Sequence, residues 1–312
     1  MADHAFFATQ SPYTDPGPYA VRLDSVTGDL AAMRNVARQL IFHYGIDGDF
    51  AQNCIEADRV GEVDTRYADR MFARIFELSD QPVTVQRPAH QRLVGCCRDF
   101  TVLFLAVTRH KGMPARARFG FATYFVPGWY LDHVMAEVWD PARQRWRLVD
   151  CMIADDHLDE SDGTTIDPLD VPADRFVDGG RAWLACREGT TDVDRWAVDP
   201  YLEIPATRGW RYVRHNLIHD LAGLTKNEML LWDDWGLTGF DGDLTRDQLA
   251  LLDEVAALSS CGDVQLDRVL PLYGRDEFRV PAQVTSYSPA HQQPRRVQLR
   301  ESLDLRRPRL LR

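Results

Sequence analysis

One short stretch in the first half of the chain constrains the fold most, because its apolar pattern changes from a helical period to a strand period. Apolar residues recur at i, i+3, i+4 and i+7 from Phe100 to Val107, which predicts a helix over Cys97–Lys111 with one buried face. Gly112 stops this helix, and Pro114 forbids its continuation. From Ala115 to Phe125, one side of the chain carries mostly Ala and Phe at alternate positions, which predicts a strand. A helix that leads directly into a strand indicates a core of mixed α and β structure.

Two further strands are predicted downstream, over HVMAEVW (His133–Trp139) and RWRLVDC (Arg145–Cys151). The turn sequence DPARQ between them indicates an antiparallel hairpin. If the turn centres near residues 142–143, His133 lies opposite roughly residue 152 and within about one pleat repeat of Asp150. Because side chains alternate between the two faces of a strand, His133 and Asp150 can share one face.

A thiol stands at the start of the predicted helix. The positive end of the helix dipole and the free backbone N–H groups lower the pKa of a cysteine at that position, here Cys97. The small Gly95 would leave room for a substrate beside the sulfur. A thiolate needs a base that moves a proton and a third group that orients the base. We therefore expect the Cys97 helix to pack on the hairpin face that carries His133 and Asp150, which would complete a Cys–His–Asp triad.

Three ordered motifs carry a family resemblance over roughly Pro88–Asp155. The string GCCRDFTVLFLAVTRHKGMPARARFGF resembles the transglutaminase-like signature of Gly-x-Cys, an apolar helix, Gly-Ile/Met-Pro-Ala-Arg and a strand. DHVMAEVWD resembles the histidine strand of that family, and WRLVDC resembles its aspartate strand. The resemblance implies an α+β fold, a papain-like transglutaminase core in which the Cys helix packs on an antiparallel sheet, with helical N-terminal and C-terminal additions.

The same resemblance implies roles for individual residues. Cys97 matches the nucleophile, His133 the general base and acid, and Asp150 the orienting carboxylate. The oxyanion hole would use the backbone N–H of Cys97 and one upstream donor, for which Gln91, six residues earlier, is the candidate. We predict neither a cofactor nor a metal for this chemistry.

Two positions depart from the family pattern without removing a triad member. Met135 stands where the family usually has Trp, and Cys151-Met152 replaces the usual Pro-Thr after the aspartate. Both positions line the expected active-site face, so they bear on the class of substrate more than on the chemistry.

We predict four segments along the chain. They are an N-terminal arm and helices packed on the core (1–87), the transglutaminase-like catalytic core (88–155), a mostly helical C-terminal extension (156–291) and a basic, loosely ordered tail (292–312). The first 20 residues are predicted to form an extended arm. Thr225 with Glu228, and Thr245 with Gln248, have the spacing of capping boxes and predict the starts of two helices.

The function that these residues predict is cysteine-dependent acyl transfer. The Cys97 thiolate would attack an amide or thioester carbonyl, and the acyl group would then pass to an amine or to water. A transferase and an amidohydrolase or peptidase share every residue named above. A second hypothesis is an acyltransferase of specialised metabolism that forms an amide from a carrier-protein thioester, with the arginine-rich tail docking an acidic carrier. A third is a non-catalytic binding scaffold of the same fold, against which the intact triad argues.

Composition and charge bear on the class of partner and on the cellular compartment that we expect. The 312 residues carry 36 basic and 47 acidic side chains, a net charge of −11 that argues against general nucleic-acid binding. All the basic residues except Lys111 and Lys226 are arginine, which we interpret as the mark of a GC-rich genome, whereas a bacterial source is implied only by the family resemblance. No apolar run reaches the roughly 18 residues of a membrane helix, and no secretory signal is visible. The six cysteines form no CxxC pair, so we expect free thiols in a reducing cytoplasm.

Two residue pairs and one single residue each have alternative interpretations. Adjacent Cys96 and Cys97 could form a vicinal disulfide or bind a metal, although neighbouring cysteines rarely ligate one ion comfortably. His215 and His219 stand at i and i+4, as zinc ligands on a helix do, but the helix face around them is apolar and favours packing. Glu137 is either a second carboxylate of the site or a structural hydrogen-bond acceptor.

Overall fold

The structure is a computed structural model that describes residues 2–260, 262 and 264–300. The α-helices are α1 (Ala2–Phe7), α2 (Leu30–Leu40), α3 (Ala68–Leu78), α4 (Cys97–His110), α5 (Gly179–Arg187), α6 (Gly209–Leu224), α7 (Arg246–Ser259) and α8 (Leu266–Tyr273). The strands are β1 (Ile41–His43), β2 (Leu93–Gly95), β3 (Ala115–Ala122), β4 (Tyr130–Asp140), β5 (Arg145–Val149), β6 (Phe176–Asp178), β7 (Trp196–Ala197), β8 (Asp233–Asp234), β9 (Gln283–Ser286) and β10 (Arg295–Gln298). Short 3-10 turns connect several of these elements.

Helix α4 is buried at the centre of a hydrophobic core that it forms with α2, α3, β3 and β4. It begins at Cys97 as predicted, and the backbone N–H of Cys96 donates to Asp99 Oδ2 at 2.9 Å, which closes a capping box. The chain leaves the helix through Gly112, whose φ of +74° is a conformation that glycine adopts without strain, and continues into β3. The sharp change of period in the sequence therefore corresponds to a real helix–strand junction.

The main sheet has the order β5-β4-β3-β6, all antiparallel, with β7 added parallel to the start of β4. The predicted β4–β5 hairpin is confirmed, and its register pairs Ala136 with Val149 and Asp140 with Arg145. The predicted α+β class with a Cys helix and an antiparallel sheet is confirmed as well.

The expectation about which sheet face receives the Cys helix was wrong. Helix α4 packs with Val134, Ala136 and Val138, whereas Met135 belongs to a separate apolar cluster on the other face. His133 and Met135 alternate with these residues along β4, so His133 shares the Met135 face. The face that receives the helix carries small and branched side chains that suit helix packing, and His133 meets α4 at its first residue, Cys97.

A two-stranded parallel ladder joins the N-terminal segment to the Cys helix. Helix α2 ends at Leu40, and β1 follows at once. Strand β1 pairs with β2, with His43 opposite Gly95, and the Tyr44 backbone N–H donates to the Gly95 carbonyl at 3.1 Å. The residue after β1 is thereby fixed beside the start of α4.

Other sequence predictions had mixed outcomes. The extended arm was wrong for its first residues, because α1 places the buried Phe7 against the edge of the Trp146 ring. The capping box at Thr245 is confirmed, but Thr225 is the residue that ends α6. Within the predicted basic tail, β10 pairs with β9, whereas Cys261 and residues 301–312 lie outside the described residues. Every helix in the described ranges is too short or too polar to cross a bilayer.

Candidate active site

Cys97 is the first residue of α4 and is 6% exposed. The fold holds it between Cys96, which caps the helix, and the parallel ladder beneath. Gly95 serves this cap: a Cβ at that position would lie 2.8 Å from Asp99 Oδ2 and 3.2 Å from a methyl group of Ile41. Gly95 is therefore needed for the close approach between the capping carboxylate and the backbone.

The histidine and the aspartate meet as predicted. His133 Nε2 lies 2.8 Å from Asp150 Oδ2, and both side chains are buried. The other carboxylate oxygen, Oδ1, accepts the backbone N–H groups of Met152 at 2.7 Å and Ile153 at 3.2 Å. Because Nε2 is directed to Asp150, Nδ1 is the ring nitrogen left for Cys97, whose sulfur is within hydrogen-bonding reach of the ring. The structure thus brings the three predicted residues together.

The protonation states follow from these contacts. A hydrogen bond from the Cys96 thiol, together with the hydrogen bond and charge of His133, lowers the pKa of Cys97 to about 7 against the opposing effect of burial. Burial alone would lower the pKa of His133, but the charge and hydrogen bond of Asp150 outweigh it and raise that pKa to about 10. Between these values the pair is held as a thiolate beside an imidazolium ion.

Two residues that the sequence analysis missed hold Asp150. Tyr124 donates its hydroxyl to Oδ2 at 2.5 Å, and Arg34 of α2 donates its Nε–H to the Asp150 backbone carbonyl at 2.7 Å. Arg34 also bonds to the Ile153 carbonyl and to Asp155. Burial would raise the pKa of Asp150, yet the charge and hydrogen bond of His133 and the Tyr124 hydroxyl keep it well below its usual range.

A second polar group lies on another side of the thiol. Asp132, the residue before His133, accepts a hydrogen bond from Asn216 at 3.0 Å and another from the Tyr212 hydroxyl. Its charge opposes the lowering of the Cys97 pKa. Tyr44 is also close enough for the charges of Cys96 and Cys97 to influence its own pKa.

The fourth predicted residue, Gln91, lies just before strand β2. It ends the 3-10 turn Ala89–Gln91, and its backbone N–H donates to the Pro88 carbonyl at 3.0 Å. Strand β2 then extends the chain by about 3.3 Å per residue before Cys97 is reached. Among the hydrogen bonds of the described residues, none joins Gln91 to Cys97.

Glu137 belongs to an ion-pair network rather than to the thiol. Its carboxylate lies 2.6 Å from Arg116 Nε and 3.3 Å from Arg118 Nη1, and Arg118 in turn pairs with Asp220 at 2.9 Å. The structural interpretation of Glu137 therefore holds.

The two helical histidines are likewise held by the protein. His215 contacts Asp234 at 3.2 Å and the Leu231 carbonyl at 2.9 Å. His219 contacts the His215 carbonyl at 3.0 Å and the Leu230 carbonyl at 3.2 Å. These contacts occupy both ring nitrogens of each histidine, which favours the packing interpretation.

Comparison with known proteins identifies the family of the core. Residues 48–151 match the family model of the transglutaminase-like superfamily, so the chain carries a transglutaminase-like domain. The resemblance inferred from the three motifs is confirmed. The match supports a cysteine-based enzyme.

A solved structure provides a further, distant likeness. The chain is similar to a protein from Cytophaga hutchinsonii described as a "putative cysteine protease", with 17% identity and a TM-score of 0.35. The similarity covers 57% of this chain and 46% of the other, so this chain spans less than half the length of that protein. No curated protein matches the chain.

Proposed function

We propose that this protein is a cysteine acyltransferase or amidohydrolase that works through a thioacyl-enzyme on Cys97. His133 is the general base and acid, and Asp150 orients its ring. The observation that carries the proposal is the buried contact of 2.8 Å between His133 Nε2 and Asp150, with the Cys97 sulfur within reach of the same imidazole. A histidine that only packed in the core would not need the Asp150 carboxylate on one side and the Cys97 thiolate on the other.

The reaction begins with the thiolate–imidazolium pair. The Cys97 sulfur attacks the carbonyl carbon of the donor, a C–S bond forms, and the carbonyl oxygen takes the negative charge. The imidazolium gives its proton to the leaving amine nitrogen or thiol sulfur as the C–N or C–S bond of the donor breaks. Neutral His133 then takes a proton from an amine or water acceptor, which attacks the thioester and restores the thiolate–imidazolium pair.

The burial of the thiol bears on the substrate. With Cys97 only 6% exposed, a slim acyl arm reaches the sulfur more readily than the main chain of a folded protein. A side-chain amide, a short peptide or a thioester is therefore the donor that we propose, with an amine or water as acceptor. The cysteines in the described residues are all free, so we propose a reducing compartment such as a bacterial cytoplasm, where free thiols persist.

Alkylation by iodoacetamide from pH 5 to 9, with each cysteine mapped by mass spectrometry, tests the activated thiol. We expect Cys97 to reach half of its maximal rate near pH 7, and His133→Ala to slow it at least about tenfold at pH 6 by raising its pKa. The exposed Cys54 in the same molecule is the internal reference and should not respond to the His133 change. A Cys97 that reacts no faster than Cys54 at pH 6 would contradict the proposal.

Turnover with an acyl donor separates the possible acceptors. A p-nitrophenyl ester should give a burst equal to the concentration of Cys97, and added primary amine should divert the acyl group from water in a transferase. A carrier-protein thioester can replace the ester to test the carrier hypothesis. Activated Cys97 without any acyl-enzyme, detected by intact mass, would favour the scaffold instead.

A further inference from the structure

The backbone, rather than its own side chain, fixes Tyr44 beside Cys96, the residue that precedes the triad cysteine. Because His43 lies opposite Gly95 in the parallel ladder, the next residues on the two strands are Tyr44 and Cys96. The Tyr44 backbone N–H donates to the Gly95 carbonyl at 3.1 Å, which extends the ladder to the residue before the helix cap. Tyr44 is therefore positioned by the same element that positions Cys97.

The ring of Tyr44 is held from one side. It stacks on the His43 ring with centroids 5.4 Å apart and planes 8° apart, and His43 in turn stacks near Phe100 of α4. Burial and the charge of His133 lower the pKa of His43 to about 4, so this neighbouring ring is neutral at pH 7. The stack limits the positions open to the Tyr44 hydroxyl without adding a charge.

The Tyr44 hydroxyl is a free donor. Within the described residues it makes no hydrogen bond to another protein group, although the side chain is largely buried. Burial and the charges of Cys96 and Cys97 raise its pKa above the usual value, so the hydroxyl keeps its proton wherever Cys97 is a thiolate. An O–H group that has no protein partner is available to donate a hydrogen bond to a bound substrate.

A second free donor lies at the same place. Cys97 is the first residue of α4, and the backbone N–H of a first helical residue has no acceptor inside the helix. An oxyanion hole needs two such donors, about 2.7–3.1 Å from the oxygen that becomes negative.

We propose that the Tyr44 hydroxyl and the Cys97 backbone N–H form the oxyanion hole, and that Tyr44 takes the place predicted for Gln91. This assignment rests on the proposed acyl transfer. Tyr44 donates a hydrogen bond to the carbonyl oxygen as the C–S bond forms, and its proton stays on the phenol throughout. Its contribution is therefore confined to reactions that generate an oxyanion.

Two reactions of the Cys97 thiol differ in whether they generate an oxyanion, and this difference provides the test. Iodoacetamide alkylates sulfur by displacing iodide, with no charge on a carbonyl oxygen, whereas p-nitrophenyl acetate acylates it through a tetrahedral oxyanion. Tyr44→Phe keeps the stacked ring and removes only the hydroxyl. We expect acylation of Cys97 to fall by about 10²–10³-fold and alkylation to change less than about twofold.

Two further variants sharpen the comparison. Tyr19→Phe is the matched control, since it removes a hydroxyl from a tyrosine that stacks on Phe76 at 5.4 Å in the N-terminal region. Gln91→Ala tests the rival donor. We expect Tyr19→Phe to acylate at the wild-type rate and Gln91→Ala to lose far less than Tyr44→Phe.

Each other outcome has a definite meaning. Wild-type acylation in Tyr44→Phe overturns the assignment, and so does an equal loss of acylation and alkylation, which would mean that Tyr44 only supports the thiol. A large loss in Gln91→Ala alone returns the role to Gln91. If wild-type Cys97 alkylates rapidly but acylates no faster than Cys54, the proposed acyl transfer fails and the assignment falls with it.

Discussion

The Tyr124 hydroxyl and the His133 ring meet at one oxygen of Asp150: the hydroxyl donates to Oδ2 at 2.5 Å, and Nε2 of His133 lies 2.8 Å from the same atom. Oδ1 is held separately by backbone N–H groups that follow the aspartate. A carboxylate bound at both oxygens stays ionised and cannot rotate. The imidazole that it orients is therefore fixed with Nδ1 free for the sulfur.

Removal of the Tyr124 hydroxyl should weaken this arrangement. In Tyr124→Phe the buried Asp150 carboxylate loses a charge-assisted hydrogen bond, which is typically worth about 1.5–3 kcal/mol. We expect the free energy of unfolding in urea at pH 7 to fall by about that amount. Tyr19→Phe, which loses a hydroxyl outside this network, should change by less than about 0.5 kcal/mol. Equal stability of the two variants would show that Oδ2 does not depend on Tyr124.

Cys96 is expected to tune the thiol next to it. Its S–H group hydrogen-bonds to the Cys97 sulfur, and this bond is the largest influence that lowers the pKa of Cys97. Cys96→Ala should therefore shift the midpoint of Cys97 alkylation above pH 7, whereas Cys96→Ser, which keeps a donor and a good helix cap, should restore a lower value. The measurement is the pH dependence of iodoacetamide labelling at Cys97. A midpoint in Cys96→Ala at or below the wild-type value would contradict this account.

Glu137 should matter for stability and not for the thiol. Glu137→Ala leaves the buried Arg116 and Arg118 without a shared carboxylate, and breaking a buried ion pair in this way costs about 3–5 kcal/mol. We expect a correspondingly lower midpoint in urea, with the midpoint pH of Cys97 alkylation unchanged while the protein is folded. Loss of thiol reactivity at wild-type stability would instead restore Glu137 to the active site.

The parts of the site that depend on local patterns could be predicted from the sequence. Helix α4 follows from apolar residues at helical spacing and from Gly112, and the hairpin follows from two alternating runs around a short turn. The hairpin register alone places His133 near Asp150. The position of Cys97 beside them also depends on how α4 packs on the sheet, for which the sequence predicted the wrong face.

The supporting residues could not be predicted, because their contacts join distant segments. Arg34 reaches Asp150 across 116 positions in the sequence, and the β1–β2 pairing that positions Tyr44 has no turn to mark its register.

The capping box predicted at Thr225 failed for the same reason. Glu228 does not cap Thr225, since its carboxylate is taken by Arg109 at 2.8 Å and by Ser11 at 2.7 Å. A local pattern loses its meaning where tertiary contacts use the same side chain.

Lys226 shows how such distant contacts should affect stability. The side chain is 1% exposed, its ammonium group donates to Thr9 Oγ1 at 2.7 Å and to the Gln10 carbonyl at 3.3 Å, and it lies 4.5 Å from the centre of the Phe6 ring. Burial lowers its pKa to about 7, and the charge of Arg109 adds to this effect. The Lys226 side chain therefore binds residues 6–10 to the rest of the protein, and the burial of its positive charge opposes this stabilisation.

The sign of the pH dependence follows from that shift. Between pH 7 and the unfolded value of about 10.4, the unfolded chain binds a proton that the folded protein does not, so the free energy of unfolding should rise with pH. The slope is at most about 1.4 kcal/mol per pH unit. Lys226→Met keeps an apolar stem and removes the titration, so wild type should gain stability relative to this variant as the pH rises from 7 to 9. Urea unfolding under reducing conditions measures the difference, with Lys111→Met, at the only other lysine, as the control. Parallel curves for wild type and Lys226→Met would mean that Lys226 keeps its proton in the folded protein.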